Sequence, residues 1–186
     1  MIHHIDLNHH QLLGVSRRAL SALRRTIERE AGPAAAAWLQ EAGYAGGDTV
    51  FESFRLWLRA QGKASPDELE LAEFQHRASL YFRELGWGTV AVTALNGAVV
   101  AVDSSDWHEA DPESRLDHPA CHFTTGMFAD FFGRLSDAPL AVLEVECRSM
   151  GAPRCRFLLG SSDVLQFIFQ EMERGASYDD AAQRLA

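Results

Sequence analysis

No apolar run in the 186-residue chain approaches the roughly 20 residues needed to cross a bilayer. The first ten residues, MIHHIDLNHH, lack the basic-then-apolar order of a secretory signal. Both absences point to a cytoplasmic protein that does not insert into membranes. There is no surplus of Lys and Arg either: the formal charge is −9, which argues against direct nucleic-acid binding. The one basic stretch, RRALSALRR from Arg17 to Arg25, reads as the wet face of a helix. Cysteine is scarce, with only Cys121, Cys147 and Cys155. An odd count without an export signal suits reduced thiols: buried bystanders, redox groups or metal ligands. The glycines at Gly43, Gly46, Gly47, Gly86 and Gly88 fit no phosphate loop or dinucleotide fingerprint. A serine nucleophile elbow is missing, as is any nicotinamide, flavin or iron–sulfur spacing. There is no internal repeat and no long linker.

What is present suits a globular chain. Hydrophobic residues make up 47%, enough to bury a real core. A single domain over 1–186 is expected, with a helical N-terminal portion over 1–86, a sheet portion over 87–160 and closing helices over 161–186. Ser16 caps a first helix through about Glu30, with Leu20, Leu23 and Ile27 on one face. Pro33 opens a second helix that ends at Gly43, and a third begins near Asp48. Ser65-Pro66-Asp67-Glu68 reads as the start of a fourth, whose apolar stripe holds Leu71, Phe74, Ala78, Tyr81 and Leu85. Two β-rich runs, Thr89 to Leu95 and Ala98 to Asp103, are joined by Asn96-Gly97, a strong hairpin signal because both residues tolerate positive φ. A polar, acidic loop or lid covers Ser104 to Pro119. Cys121 to Leu135 is helical. Leu140 to Cys147 and Arg154 to Leu159 form a second hairpin. Asp163 to Arg174 is a helix ended by Gly175, and Ser177 caps a last short one. Hairpins imply an antiparallel sheet, so the fold class is α+β, with helices backing the sheet.

The chemistry concentrates in the cysteines. Glu144 lies 23 residues after Cys121, Cys147 three after Glu144, and Cys155 eight after Cys147. Three thiolates and one carboxylate can fill a tetrahedral zinc shell, and soft sulfur disfavours magnesium and calcium. Buried structural thiols are the other reading of the same residues. Gly151 lets the loop between Cys147 and Cys155 turn back. In a regular strand Glu144 and Cys147 face opposite sides, so both reach one ion only where a bulge or the strand's end intervenes. Glu146, on Glu144's face, is either a salt-bridge partner or a rival ligand.

Cys121-His122-Phe123-Thr124-Thr125-Gly126, followed by E-x-x-C at Glu144 to Cys147, Gly151 and C-x-F at Cys155 to Phe157, resembles the 4-vinyl reductase domain family. The resemblance covers about Cys121 to Phe157, and Ala152 stands where the family often has an acidic residue. It implies that Cys121, Glu144, Cys147 and Cys155 bind zinc. It also implies an antiparallel sheet backed by helices, related to the trafficking-complex (TRAPP) fold and often dimeric, and a role like that of the sensor in phenol-type bacterial activators. Four protein ligands leave no open position, so the zinc would be a structural staple between the Cys121 helix and the second hairpin.

Aromatic residues are the remaining clue. Most are core, but an apolar pocket with a few polar anchors is how a small hydrophobic or aromatic molecule is held. His76, Trp107 and His108 are the anchor candidates, with Tyr81 and Phe128 as apolar walls. The leading expectation is a non-catalytic, homodimeric binding module acting as sensor, carrier or accessory protein. One alternative is an enzyme or accessory of (bacterio)chlorophyll synthesis that acts on a vinyl tetrapyrrole with an external donor. Another is a structural dimerising adaptor. His3, His4, His9 and His10 read as native, solvent-facing residues, and His118 as a loop residue or a partner of a metal ligand.

Overall fold

The structure, a computed structural model, describes residues 5–63 and 65–185. His3 and His4 lie outside the described residues. Ser16 caps α1 (Arg17–Ala31) as expected, its Oγ accepting from the Ala19 amide. Pro33 sits in a 3-10 turn, Gly32–Ala34, that leads into α2.

The next two predicted helices are one. α2 runs unbroken over Ala35–Ala60, through Gly43, Gly46 and Gly47. The glycines do not break it, because two of them serve close packing. A Cβ on Gly43 would collide with the Phe123 carbonyl of α4 (His122–Ser136), and one on Gly126 of α4 would collide with the Gln40 carbonyl of α2. A Cβ on Gly47 would fall 2.6 Å from the Cβ of Asp130. Without side chains here the two backbones meet directly, and that gain outweighs the helix propensity each glycine gives up, about 1 kcal/mol.

Ser65-Pro66 opens only a 3-10 turn, Pro66–Glu68; α3 starts later, at Leu71, and runs to Glu84. The sheet has four strands: β1 (Ala91–Ala94), β2 (Val100–Ser104), β3 (Ala141–Glu146) and β4 (Cys155–Gly160). Their order is β1-β2-β4-β3 and every pairing is antiparallel. The Asn96-Gly97 hairpin is there, but neither residue has positive φ. The connection is longer than a two-residue turn, and the Asn96 side chain stabilises it by accepting from the Ala98 and Val99 amides. Gly175, at φ +93°, follows the end of α5 (Ser162–Glu173), and Ser177 caps α6 (Tyr178–Gln183).

The central strands alternate between two cores. Val102, Phe157 and Leu159 face one that contains Phe54, Tyr81, Phe82, Phe128 and Phe131 from α2, α3 and α4. Ala101 and Leu158 face a smaller one with Leu165, Ile168 and Ala181 of α5 and α6. Helices thus cover both sides of the sheet, which is why β4 is apolar at successive positions rather than alternating. No helix among the described residues is long and apolar enough to cross a membrane.

Candidate functional site

β3 and β4 pair regularly up to Glu144 opposite Phe157, and then Glu146 stands opposite Arg156. The extra residue is a β-bulge at Val145. It has two effects that follow from the period-2 geometry of a strand. Glu144 points into the larger core and is buried, with Cys147 returning to its side. Glu146 is turned to the opposite face, where Arg154 pairs with it at 2.9 Å and the Tyr178 hydroxyl donates to it. Glu146 and Glu144 therefore do not share a face, and the salt-bridge reading of Glu146 is the one the geometry takes. Beyond Cys147 a 3-10 turn, Arg148–Met150, and Gly151 at φ +87° reverse the chain so that Cys155 comes back beside Cys147.

Cys121 arrives from the other side, at the N-cap position of α4. Its Sγ lies 3.9 Å from Cys147 Sγ and 3.8 Å from Cys155 Sγ. One donor atom each from Cys121, Glu144, Cys147 and Cys155 falls within 4.8 Å of all the others, and the four residues are buried. Glu144 Oε2 accepts from the Cys121 amide at 2.8 Å, while its Oε1 is buried without a hydrogen-bond partner. Burial, with Cys147 alongside, pushes the Glu144 carboxyl up to about 9. Burial also raises the Cys121 thiol far above its usual range, whereas hydrogen bonds from the Cys121 and Cys155 thiols pull Cys147 down. A buried acceptor left unpaired costs about 1–3 kcal/mol. A cluster of three thiols and one carboxylate around an orphaned oxygen can hold a metal ion.

A second acid, which nothing in the sequence singles out, organises the start of α4. Glu109 is buried, and its carboxylate accepts from the Phe123 and Thr124 amides at 3.0 and 2.8 Å and from the Thr124 hydroxyl. It caps α4 from a distance, supplying an anion where the helix dipole is positive. Burial raises its carboxyl against the opposing pull of Arg24. Arg24 of α1 reaches in to donate to the Glu109 carbonyl and, at 2.9 Å, to the Ala120 carbonyl next to Cys121. The polar loop 104–119 is tied down by the same region. Asp111 and Leu116 donate their amides to Ser149 at 2.9 and 2.8 Å.

The five candidate ligand contacts separate. Trp107 is wholly buried and its Nε1 donates to Thr124 Oγ1 at 2.7 Å, so its polar atom is already engaged. Tyr81 donates its hydroxyl to the Val50 carbonyl at 2.9 Å, and Phe128 packs against Phe82, Phe132 and Phe157. These three form a packed core, and His76 is exposed on α3. His108 alone lines a cavity. It borders a cleft of about 800 Å³ whose walls include Val50, Leu85, Trp87, Phe123 and Met127. The opposite wall is the segment 5–15 with α1: Ile5, Leu7, Leu12, Leu13 and Leu20. The leucines of this segment, rather than its histidines, are the sequence signal for that wall. Two hydrogen bonds dock it: the Ile5 amide to Glu84 at 2.9 Å, and His10 Nδ1 with Ser53 Oγ at 2.7 Å, both His10 and Ser53 being buried. His10 is therefore not solvent-facing, whereas His9 is exposed. His118 is exposed beside Asp117, a loop role.

The fold and the cluster define an α+β domain with a buried centre of three thiols and one carboxylate. Residues 105–161 match the family model of the 4-vinyl reductase domain, and that stretch contains all four residues of the centre. The chain is similar in structure to the phenol-responsive sensory domain of the transcription activator PoxR, solved with phenol. The identity is 19%, the match covers 88% of this chain and 82% of that one, and the TM-score is 0.61. It is also similar to a trafficking protein particle complex subunit 3 from Naegleria fowleri covalently bound to palmitic acid (13% identity, 78% and 96% coverage, TM-score 0.53). A vinyl-4-reductase family protein from Methanocaldococcus jannaschii matches over 63% of this chain and 66% of its own, at 16% identity and a TM-score of 0.46. No curated protein sequence matches the chain. The first two structures bear out the α+β fold with its antiparallel sheet and backing helices.

Proposed function

We propose that this chain is a zinc-stapled binding module for a small hydrophobic or aromatic molecule, acting as sensor, carrier or accessory protein. One observation carries the reading. The start of α4 belongs to both sites: Cys121 is in the thiol cluster, while Phe123 and Met127 line the cleft. A metal that pins Cys121 to the β3–β4 hairpin fixes one wall of the cleft.

The donor set fits zinc. Zn–S bonds of about 2.3 Å in a regular tetrahedron place sulfurs roughly 3.8 Å apart. The two short Sγ–Sγ distances here are 3.9 and 3.8 Å. Glu144 Oε1, otherwise orphaned, would be the fourth donor. Zinc supplies cross-linking free energy in such a closed, sulfur-rich shell. The chain's own residues do the rest. Glu109 and Arg24 hold the first turn of α4 in place, and Trp87, sandwiched between Trp107 and Phe123, stiffens the cleft wall. The likeness to a phenol-responsive domain supports a small-molecule ligand for this chain as well. Exposed Leu23, Trp38 and Tyr44 on α1 and α2 support a homodimer in which these side chains are covered.

Native mass spectrometry of protein purified without added metal tests the reading. The expected result is one zinc per chain, in dimers, with a hydrophobic passenger molecule retained in a fraction of the sample. A zinc-free, fully folded chain would contradict the staple, and a zinc-bound chain that takes up no hydrophobic molecule would contradict the binding role.

A further inference from the structure

The cleft does not end at its apolar walls. Arg17, Leu20 and His108 also border a second, polar notch of about 440 Å³, so the two cavities meet along α1. At 100° per residue, positions 17, 18, 21, 24 and 25 fall on one side of that helix. Arg17, Arg18 and Arg25 therefore crowd the notch together, in a chain whose net charge is −9.

Arginines on the other helices mostly have acids beside them: Arg55 pairs with Glu52, Arg77 with Glu73 and Arg134 with Asp130. Arg17 instead reaches only the Gly86 carbonyl at 3.5 Å, and Arg25 only Ser21 Oγ at 2.9 Å. Two of the three occupy the first turn of α1, where there is no acidic residue and where the helix dipole already disfavours cations. Arg24 forms the floor: its side chain is 8% exposed, and its Nε is buried without a hydrogen-bond partner, 3.7 Å from Glu109. The two acids bordering the notch are engaged elsewhere, Glu109 on the α4 amides and Asp111 on the amide of Glu113. His108 stands at the junction with Nδ1 against the Trp87 carbonyl at 3.0 Å. A carbonyl only accepts, so Nδ1 is the donor and Nε2 is the acceptor.

We infer that the ligand is an amphipathic acid, its apolar body in the cleft and its single anionic head, carboxylate or phosphate, on Arg17, Arg18 and Arg25. This rests on the proposal that the cleft binds a hydrophobic molecule, and it specifies which kind. A cavity of about 800 Å³ lies within the range for drug-sized ligands, about 300–1,000 Å³, and would leave a single-ring phenol poorly packed. Guanidinium groups match both head groups through paired N–H donors.

The full chain is titrated with dodecanoate, dodecyl phosphate, dodecanol and phenol, each below its micelle concentration, by calorimetry and by quenching of Trp87. At least one of the two anions should bind one per chain, at least tenfold more tightly than dodecanol. That gap should close in an Arg18→Ala, Arg25→Ala variant of unchanged melting temperature. The better anion identifies the source, fatty acid or phosphate ester. Equal binding of dodecanol and both anions overturns the head-group assignment and leaves the cleft standing. Phenol binding more tightly than either anion overturns it as well. If none of the four binds, the cleft itself fails as a ligand site.

Discussion

Cys155 and Glu144 are both buried, so a change at either is felt as an unpaired polar group. Cys155→Ser removes a soft donor from a closed shell, and breaking such a buried set costs about 3 kcal/mol. For a chain of this size that corresponds to a fall of roughly 6–12 °C in melting temperature. The variant should also lose its bound zinc, and calorimetry with elemental analysis checks both. Phe128 separates core from ligand contact. Phe128→Ala is expected to cost about 3–5 kcal/mol of stability, read by denaturant melting, because the ring is packed on every side. A variant with normal stability and weakened ligand affinity would return Phe128 to the binding site. The four residues of the centre were legible in sequence because sulfur and carboxylate at those spacings have few other uses. Glu109 was not, since a buried acid that caps a helix 13 residues downstream looks, in sequence, like any acid in a polar loop. Trp107 and Tyr81 carry polar atoms that sequence cannot place. The structure engages both within the protein.

Pairs of elements decide what glycine means. Read alone, Gly43 and Gly47 stop a helix, and only the crossing of α2 with α4 shows why they persist inside one. Gly43→Ala should overpack that crossing and destabilise by about 1–3 kcal/mol, whereas Gly46→Ala, with open space at its Cβ, should be neutral or slightly stabilising. Chemical denaturation of the two variants checks this. Strand alternation and the need for a bulge between Glu144 and Cys147 were legible because the period of 2 admits no other solution. The 5–15 segment belongs to the opposite case. Its docking depends on His10, whose pKa is lowered by burial first and then by His9. A histidine held below its unfolded value near 6.5 favours the native state less as pH falls, because only the undocked form gains the proton. The docked segment should therefore loosen as pH drops below about 6.5, raising the solvent exposure of Trp87, and a His10→Phe variant should abolish this dependence. Fluorescence of Trp87 across pH 5 to 8 measures it.

Across the whole molecule, the sheet carries one core on each face, and the thiol cluster lies where the larger core, the β3–β4 hairpin and the start of α4 meet. The fold class was legible as a count of hairpins and helices. The cleft was not, because it lies between segments far apart in the chain, from Leu7 to Met127. If α1 and α2 join two copies, Trp38→Glu should shift the protein from dimer to monomer in analytical ultracentrifugation without loss of zinc. The central claim is that Cys121, Glu144, Cys147 and Cys155 hold one zinc ion. Zinc K-edge X-ray absorption of the protein purified without added metal tests it most directly. The account predicts a shell of three sulfurs at about 2.3 Å and one oxygen at about 2.0 Å. A shell of nitrogen and oxygen alone, or no zinc signal from folded protein, would contradict it.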